Sequence, residues 1–395
     1  WEQLPPQPAK YGITPSGLDS RLVAAVHSHL GVHSDAPLLY THQSSAIEAA
    51  LRGQSVVVVS RTASGKTLCY NLPILNTLLQ RPEARALYLF PTKALAQDQA
   101  TELSAMTEYL PFSTPPSVST YDGDTPQSQR STIRREARIL ITNPDMLHAG
   151  ILPHHPRWVE LLSNLTYVVL DELHTYRGVF GSHVANVLRR LRRICNFHGV
   201  SPQFVCTSAT IGNPKELAQK LVEEPVALVD NDGSPRAPKH FILYNPPMVD
   251  PILGLRRAYT LEASKLANHL IKNDVQTIVF TRTRNTTELL LGYVREQLGH
   301  NGDNKHAIRG YRGGYLSAER REIERGLRTG KVRGVVATNA LEIGVDIGQL
   351  GAVIIAGYPG TVTSLWQQAG RTGRRSEVSA VIFVASGTPL DQYIV

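Results

Sequence analysis

Short apolar runs alternate with longer amphipathic stretches in two successive blocks of the chain. Strands of a parallel sheet covered on both faces are apolar almost throughout, whereas the covering helices have one apolar face. The pattern predicts an α/β protein with two tandem, doubly wound parallel sheets. The predicted strands are 56–59, 86–90, 117–120, 139–142, 167–170 and 203–207 in the first block, and 277–280, 307–311, 334–337, 352–356 and 380–384 in the second.

The two blocks are separated by a segment, 230–251, that is rich in Pro, Asp, Asn and Gly. Its prolines disfavour helix, because each one restricts the residue before it and removes a backbone donor. We place the domain boundary near Ser234. The predicted organisation is an N-terminal extension over 1–38, a first domain over 39–234 and a second over 235–395.

Composition narrows the class of protein. Of the 395 residues, 42% are hydrophobic and 19% charged, and no apolar run approaches the length needed to cross a bilayer. The net charge of +8 favours a polyanionic partner. The three cysteines are far apart and lie among apolar residues, which indicates neither a disulfide framework nor a zinc site and fits a reducing cytoplasm.

The segment 56–67, VVVVSRTASGKT, carries the strongest chemical signal. An apolar strand leads into a Ser/Gly turn that opens a helix, so backbone N–H groups and the helix N-terminus face an anion. Lys66 is positioned to hold the β and γ phosphates of a nucleotide, and the Thr67 hydroxyl to hold Mg²⁺. Ser60 stands where this pattern has glycine or alanine. The other interpretation is that Gly65-Lys66-Thr67 only caps a helix. The predicted phosphate-binding residues are Thr62, Ala63, Ser64, Gly65, Lys66 and Thr67.

A second signal is an apolar strand, 167–170, that ends on two adjacent carboxylates. Asp171 can hold Mg²⁺, while Glu172, which points the other way, can orient and polarise the attacking water. Strand-terminal acids also cap helices, but the phosphate loop about a hundred residues upstream favours the catalytic interpretation.

From Asp171 to His174 the chain resembles the DExH box of superfamily 2 helicases, and further segments match the motifs of that family in order. The matching segments are 40–43 (YTHQ), 91–97 (PTKALAQ), 142–145 (TNPD), 171–174 (DELH), 208–210 (SAT), 280–284 (FTRTR), 338–346 (TNALEIGVD) and 367–374 (QQAGRTGR). The resemblance implies RecA-like domains and an ATP-dependent enzyme. It also implies that Gln43 reads the adenine edge, that Gly344 and Asp346 bind the cofactor ATP, and that His174 and Gln367 are catalytic.

Arg371 and Arg374 are arginine-finger candidates, because the glycines at 370 and 373 let the backbone approach a phosphate site. A guanidinium on the γ-phosphoryl group contributes about 10³ to 10⁵ in rate where fingers have been measured. A solvated basic loop is the alternative.

Polar residues that follow strand ends in both blocks are candidates for nucleic-acid contact. Hydroxyls, amides and backbone N–H groups suit phosphate oxygens and read no sequence, so we expect binding that tolerates sequence and weakens with salt. Each threonine alone is better explained as a helix cap. Its place within a helicase-like motif favours nucleic-acid contact instead. The candidates are Thr92, Lys93, Thr142, Asn143, Thr281, Arg282, Thr338 and Asn339.

A narrower resemblance lies in segments 120–125, 176–186 and 311–315, which are similar to the MrfA-type DNA helicases, a bacterial group akin to the Hrq and RecQ4-like repair helicases. It implies a cytoplasmic, nucleoid-associated enzyme that uses ATP and Mg²⁺, moves 3′ to 5′ on single-stranded or 3′-tailed DNA and repairs crosslinks. We expect a monomeric core.

Family members continue into a four-cysteine zinc domain, which the cysteines of this chain do not match, so we expect that domain to be absent and unwinding to be weak. Two alternatives stay open: an RNA-dependent ATPase, and a nucleic-acid-binding module without turnover.

Overall fold

The computed structural model describes residues 1–395 except 34–35, 111, 113–114, 299–306, 343–346, 348–349 and 374–377. The chain forms two compact units, Ala9–Ser234 and a second made of Trp1–Pro8 with Pro235–Val395. The predicted extension 1–38 is therefore divided between them. Its first residues form strand β1 (Glu2–Leu4), which pairs with a strand of the second unit.

The first unit is built on a parallel sheet with helices on both faces. Among the described residues its strand order is β4-β5-β3-β6-β7-β2-β8, and all of these pairs are parallel. The strands are β2 (Val56–Val59), β3 (Arg85–Leu89), β4 (Val118–Thr120), β5 (Ile139–Thr142), β6 (Leu165–Leu170), β7 (Gln203–Ser208) and β8 (Ala227–Val229). The α-helices are Ser20–Leu30, Thr41–Leu51, Thr67–Gln80, Lys93–Glu108, Gln127–Glu136, Pro144–Met146, Val159–Leu162, Gly178–Phe197 and Pro214–Val222.

The apolar strands are explained by burial on both sides of the sheet. Along β3, Ala86 and Tyr88 belong to one hydrophobic cluster, and Leu87 and Leu89 belong to the cluster on the opposite face. Side chains alternate between the faces of a strand, so a strand with two covered faces needs an apolar residue at every position. Full burial of such a side chain contributes about 1.5–3 kcal/mol relative to exposure.

The second unit contains a mixed sheet, ordered β1-β9-β16-β15-β12-β14-β13 in the part of the chain that the structure describes. Its strands run parallel except for the antiparallel pair β1/β9, and β10 and β11 form a separate antiparallel hairpin. The strands are β9 (Lys239–Tyr244), β10 (Met248–Asp250), β11 (Leu255–Arg256), β12 (Thr277–Thr281), β13 (Ile308–Tyr311), β14 (Gly334–Ala337), β15 (Ala352–Ala356) and β16 (Ser379–Val384). The helices are Tyr259–Lys272, Arg284–Leu298, Ser317–Arg328, Val362–Ala369 and Pro389–Ile394.

The fold prediction of two doubly wound α/β domains is confirmed, and one of the strands that were not predicted lies in the segment 230–251. This segment contains β9, which lies inside the second sheet between β1 and β16. Pro238 precedes the strand and Pro246 follows it. Since both prolines lie outside the hydrogen-bonded ladder, they delimit the strand rather than disrupt it.

The register places the carboxyl ends of the strands at one edge of each sheet. In the first unit Leu89 pairs with both Thr142 and Leu170, and Val59 pairs with Ser208. The residues that follow these strands therefore meet at one edge, where open α/β sheets bind ligands. Among the described helices, none is long and apolar enough to span a bilayer.

Candidate nucleotide site and nucleic-acid surface

The loop between β2 and the helix Thr67–Gln80 forms a concave turn of backbone N–H groups. Ala63 and Gly65 both have left-handed backbone conformations, with φ of +61° and +78°. Alternation of left-handed with right-handed residues turns successive N–H groups inward and makes an anion-binding nest. The left-handed φ of Gly65 favours glycine, and a Cβ there would also lie 2.5 Å from Gln43 Nε2 and displace that amide.

The Lys66 ammonium lies over this loop, where Nζ donates to the carbonyl oxygens of Ser60 at 3.0 Å and Arg61 at 2.8 Å. The departure from the expected pattern at Ser60 is accommodated by a hydroxyl pair, because Ser60 Oγ and Ser64 Oγ lie 2.5 Å apart and both residues are buried. The loop is thus held by its own side chains, and its lysine is bonded to two of its carbonyl oxygens.

The Gln43 side chain is hydrogen-bonded to the phosphate loop. Its Nε2 donates to Gly65 O at 2.9 Å, and its Oε1 accepts from Tyr40 N at 2.8 Å. The side chain is buried. Its predicted role in reading adenine stays a prediction, since these bonds already engage both ends of the amide.

The two carboxylates after β6 differ in their surroundings. Asp171 is buried, and its Oδ1 accepts from the Thr207 hydroxyl and from Glu172 N at 2.8 Å. Burial, with the nearby charge of Glu172, raises the pKa of Asp171 to about 6. Neither bond uses Oδ2. A buried carboxylate whose Oδ2 is not used by these two bonds fits the oxygen ligands that Mg²⁺ prefers, and Thr67 is the first residue of the helix that follows the phosphate loop.

Glu172 has a left-handed backbone, with φ of +52°. A non-glycine residue rarely adopts this conformation, and such strain is concentrated at functional sites. Asp171 is buried and Glu172 is half-buried, so the two acids differ in accessibility as well as in backbone conformation.

His174 connects the acidic motif to the segment 208–210. Ala209 N donates to His174 Nδ1 at 3.3 Å, and Glu172 Oε2 lies 3.5 Å from the same nitrogen. Burial, with the charge of Lys66, lowers the pKa of His174 to about 4. The ring is therefore neutral at physiological pH, with its acceptor lone pair on Nδ1 and its hydrogen on Nε2.

Two features of the first unit were missed from sequence. Thr207, whose hydroxyl binds Asp171, directly precedes the recognised segment 208–210 and could have been included with it. The second is Arg61, whose Nε donates to Asp232 Oδ2 at 2.9 Å and whose Nη2 donates to Ser234 O at 2.8 Å. Burial raises the pKa of Asp232, but hydrogen bonds from Ser234 and Arg61 outweigh burial and lower it to about 2. No local pattern links residues so far apart in sequence.

In the second unit, Glu342 joins the segments 338–346 and 367–374. Arg371 Nε donates to Glu342 O at 3.1 Å, and Gln368 Nε2 donates to Glu342 Oε2 at 3.0 Å. Arg371, Gln368 and Gln367 are all buried. The guanidinium of Arg371 therefore holds a backbone carbonyl of its own unit, and its catalytic role stays a prediction, as does that of Gln367. Gly344, Asp346 and Arg374 lie outside the described residues.

The threonines predicted to contact nucleic acid use their hydroxyls within the fold. Thr142 Oγ1 donates to Tyr121 O at 2.6 Å, and Thr281 Oγ1 lies 2.6 Å from Thr287 Oγ1. Thr338 accepts from Ala340 N as a helix cap. Thr142, Thr281 and Thr338 are buried, so their side chains are placed to shape the strand ends. Thr92 is exposed, although its hydroxyl caps the helix Lys93–Glu108.

The remaining polar candidates are more accessible. Lys93 is exposed and pairs with Asp124 at 2.8 Å, and Asn143 caps the helix Pro144–Met146 through its side chain. Arg282 and Asn339 are exposed and line a cavity of about 250 Å³ at the carboxyl ends of β12, β14 and β15. Charges and amides at the edges of both sheets are thus available to a polyanion.

Comparison with known proteins identifies the family. The model for the DEAD/DEAH box helicase matches residues 40–217, and that for the helicase conserved C-terminal domain matches residues 262–376. One match falls in each compact unit. The chain belongs to the superfamily 2 helicases, whose core consists of these paired domains.

The relatives refine this assignment. The chain is 55% identical to the uncharacterized ATP-dependent helicase YprA of Bacillus subtilis over 100% of this chain and 52% of YprA. It is 40% identical to the ATP-dependent helicase HRQ1 of Saccharomyces cerevisiae over 99% of this chain and 36% of HRQ1. A crystal structure of the DUF1998 helicase MrfA bound to DNA and AMPPNP is similar with a TM-score of 0.93 and 54% identity, over 100% of this chain and 54% of MrfA. The predicted MrfA-type resemblance is confirmed, and the chain spans about half the length of YprA and MrfA.

Proposed function

We propose that this chain is the motor core of an ATP-dependent DNA helicase. The observation that carries the proposal is the linked set in the first unit, in which Lys66 lies over the phosphate loop and His174 joins the acidic motif to Ala209. The MrfA structure, which contains DNA and an ATP analogue, supports the same assignment by similarity.

Each residue then has a chemical task. The loop N–H groups and Lys66 bind the β and γ phosphates, and Glu172 orients the attacking water. Asp171 and Thr67 would hold Mg²⁺, which supplies charge neutralisation at the phosphates when bound. Gln367 and Arg371, with Arg374, are proposed to stabilise the charge that develops on the γ-phosphoryl group.

Coupling to nucleic acid is proposed to run through His174. The Nδ1 of the neutral His174 ring accepts a hydrogen bond from Ala209 N in the segment 208–210, and Glu172 Oε2 lies near the same nitrogen. A movement of Glu172 during hydrolysis is therefore proposed to alter the bond between His174 and this segment. The proposed substrate is single-stranded or 3′-tailed DNA, followed in the 3′ to 5′ direction during repair of damaged, including crosslinked, DNA. The proposed setting is a monomeric core at the bacterial nucleoid in the cytoplasm.

The experiment is an ATPase assay with Mg²⁺ in the presence of oligothymidylate, oligouridylate or no nucleic acid. We expect the strongest stimulation with oligothymidylate and weaker stimulation as salt rises, because phosphate contacts release counterions. Equal or stronger stimulation by oligouridylate favours an RNA-dependent ATPase, since only RNA offers the 2′-hydroxyl. Binding without turnover would identify a binding module instead.

Polarity is tested separately with duplexes that carry a 3′ or a 5′ single-stranded tail. The proposal expects ATP-dependent displacement from the 3′-tailed substrate. Preference for the 5′-tailed substrate would contradict the direction while leaving the ATPase assignment intact.

A further inference from the structure

A basic cavity of about 380 Å³ lies in the first unit, away from the phosphate loop in sequence. Its walls come from the helix Gln127–Glu136, a π-helix at Leu147–Ile151 and a 3₁₀ turn at Leu152–Trp158. Its lining includes three arginines and a histidine, and none of the described lining residues is acidic. We propose that this arginine cavity binds one nucleotide unit of a DNA strand through its phosphate, an inference that rests on the proposed function.

One of the three arginines is fixed by the fold. Arg130 Nε donates to Thr125 O at 3.1 Å, and Nη2 donates to Asp122 O at 3.2 Å. Its guanidinium also lies 5.3 Å from the centre of the Tyr121 ring. A guanidinium held in this way loses little conformational entropy when an anion binds to its remaining N–H groups.

The other two arginines are not paired with an acidic side chain among the residues that the structure describes. Arg134 is half-buried and Arg157 is exposed, and no ion pair is formed by either one within the described parts of the chain. His154 is exposed on the same lining. Like charges around a concave surface focus a positive potential and raise the local concentration of anions. A phosphate matches guanidinium donors in geometry as well as in charge.

The cavity is bounded by well-packed parts of the fold. Tyr121 and Trp158 form a buried floor, with their rings 4.8 Å apart at 88°. A Cβ at Gly150 would lie 2.3 Å from Met146 Sδ, so the Met146 side chain packs closely against the π-helix at this wall of the cavity. π-helical turns occur frequently at functional sites. The volume lies in the range of small-molecule sites, so it has room for a nucleoside as well as a phosphate.

The position of the cavity points to a strand rather than a free nucleotide. Tyr121 directly follows β4, and Met146 lies just beyond Asn143 at the end of β5. Lys93, which follows β3, lies near the same loop and pairs with Asp124. The cavity therefore borders the sheet edge where Lys93 is exposed and Asn143 is half-buried. A nucleic-acid backbone along that edge passes the arginine cavity.

The test uses Arg134→Gln and Arg157→Gln, alone and together, with Arg193→Gln as the matched control. Arg193 is exposed on the helix Gly178–Phe197 and does not line the cavity, so it matches the change in charge. Binding of fluorescent oligothymidylate is measured over a range of salt concentrations, together with the DNA concentration that half-saturates the ATPase. Thermal unfolding checks that each variant is folded.

We expect each cavity variant to weaken DNA binding roughly tenfold and to reduce the salt slope by about 1, because one phosphate contact is lost. The ATPase rate at saturating DNA should not change. Cavity variants that bind like Arg193→Gln, while the wild type still shows DNA-stimulated ATPase, would overturn the cavity assignment alone. Absence of DNA-stimulated ATPase in the wild type would instead overturn the proposed function.

The source of the phosphate is tested by titration with deoxyadenosine monophosphate under saturating ATP analogue. At concentrations where oligothymidylate saturates the protein, the proposal expects deoxyadenosine monophosphate to show no binding that is lost in the Arg134 and Arg157 variants. Tight, arginine-dependent binding of the free nucleotide, without any effect of the variants on oligothymidylate, would contradict the assignment to a strand.

Discussion

The two candidate ligand-binding regions of the first unit use their polar groups differently. At the nucleotide site, Lys66, Asp171 and His174 engage the loop and backbone groups that surround them, and two of the three have strongly shifted pKa values. At the edge predicted to bind nucleic acid, the Thr142 hydroxyl is consumed inside the fold, while Lys93 reaches solvent. We therefore expect chemistry at the candidate nucleotide site to depend on buried, coupled groups, and binding at the other edge to depend on accessible charge.

The largest effect in this comparison is expected for Lys66→Ala. The substitution removes the side-chain charge that the first unit is proposed to place on the phosphates, so ATP hydrolysis should fall at least about a hundredfold, as when a preorganised transition-state donor is lost. Steady-state ATPase assays measure it. Lys215→Ala, an exposed lysine on the helix Pro214–Val222, is the control and should retain wild-type activity. Retention of activity by both variants would remove the phosphate role of Lys66.

The buried histidine should make the nucleotide region sensitive to acid. The pKa of His174 is lowered to about 4, below its unfolded value, so the unfolded chain binds a proton first and stability falls as pH drops from about 6.5 towards 4. Asp171 acts in the opposite direction, because its pKa is raised to about 6 and protonation favours the folded state. In His174→Gln the fall in unfolding free energy from pH 7 to pH 5 should be smaller by on the order of 2 kcal/mol.

Urea unfolding of the wild type and the variant at both pH values provides this measurement. An identical pH dependence in the two proteins would show that His174 is not held neutral by burial.

At the other edge, Thr142→Val should separate architecture from binding. It removes the hydrogen bond to Tyr121 O and should cost about 1–2 kcal/mol of stability, with little change in DNA affinity. Lys93→Gln should instead leave stability nearly unchanged and weaken DNA binding, with the salt slope of binding lowered by about 1. Chemical unfolding and salt-dependent binding on both variants test the pair. A loss of DNA affinity in Thr142→Val at unchanged stability would place its hydroxyl on the ligand.

The smallest effect is expected at Ala63. Its left-handed backbone costs an alanine on the order of 1 kcal/mol, and glycine adopts the same φ without that strain. Because glycine also loses more entropy on folding, Ala63→Gly should change the unfolding free energy by less than about 1 kcal/mol, in the stabilising direction. Thermal unfolding tests this, and a clear destabilisation would show that the alanine methyl makes a needed contact.

Much of the fold followed from patterns that are local in sequence. The strands Val56–Val59, Ile139–Thr142 and Ala352–Ala356 have the predicted bounds, because burial on both faces leaves a continuous apolar signature. Glu2–Leu4 and Lys239–Tyr244 were not predicted. They join the outer part of the second sheet, where pairing with a distant segment, rather than apolar continuity, makes the strand.

In the candidate site, too, the features that could be predicted are those set by residues close together in sequence. Residue types at fixed spacing indicated the phosphate loop and the acidic pair. The orientation of hydroxyls such as that of Thr142 was not predictable, because a threonine at a strand end faces a ligand or the fold according to backbone geometry alone. Contacts such as that of Arg61 with Asp232 depend on tertiary structure, and no fixed sequence spacing predicts them. Assignment of roles at Gln367 and Arg371 stays a prediction.

The most direct test of the central claim is Glu172→Gln, measured for ATP affinity and for hydrolysis in the presence of oligothymidylate. If Glu172 orients the attacking water while Lys66 and the loop bind the phosphates, the variant should bind a fluorescent ATP analogue as tightly as the wild type and hydrolyse ATP at least about a hundredfold more slowly. Hydrolysis at the wild-type rate, with unchanged stimulation by DNA, would contradict the assignment of this site as the motor's catalytic centre.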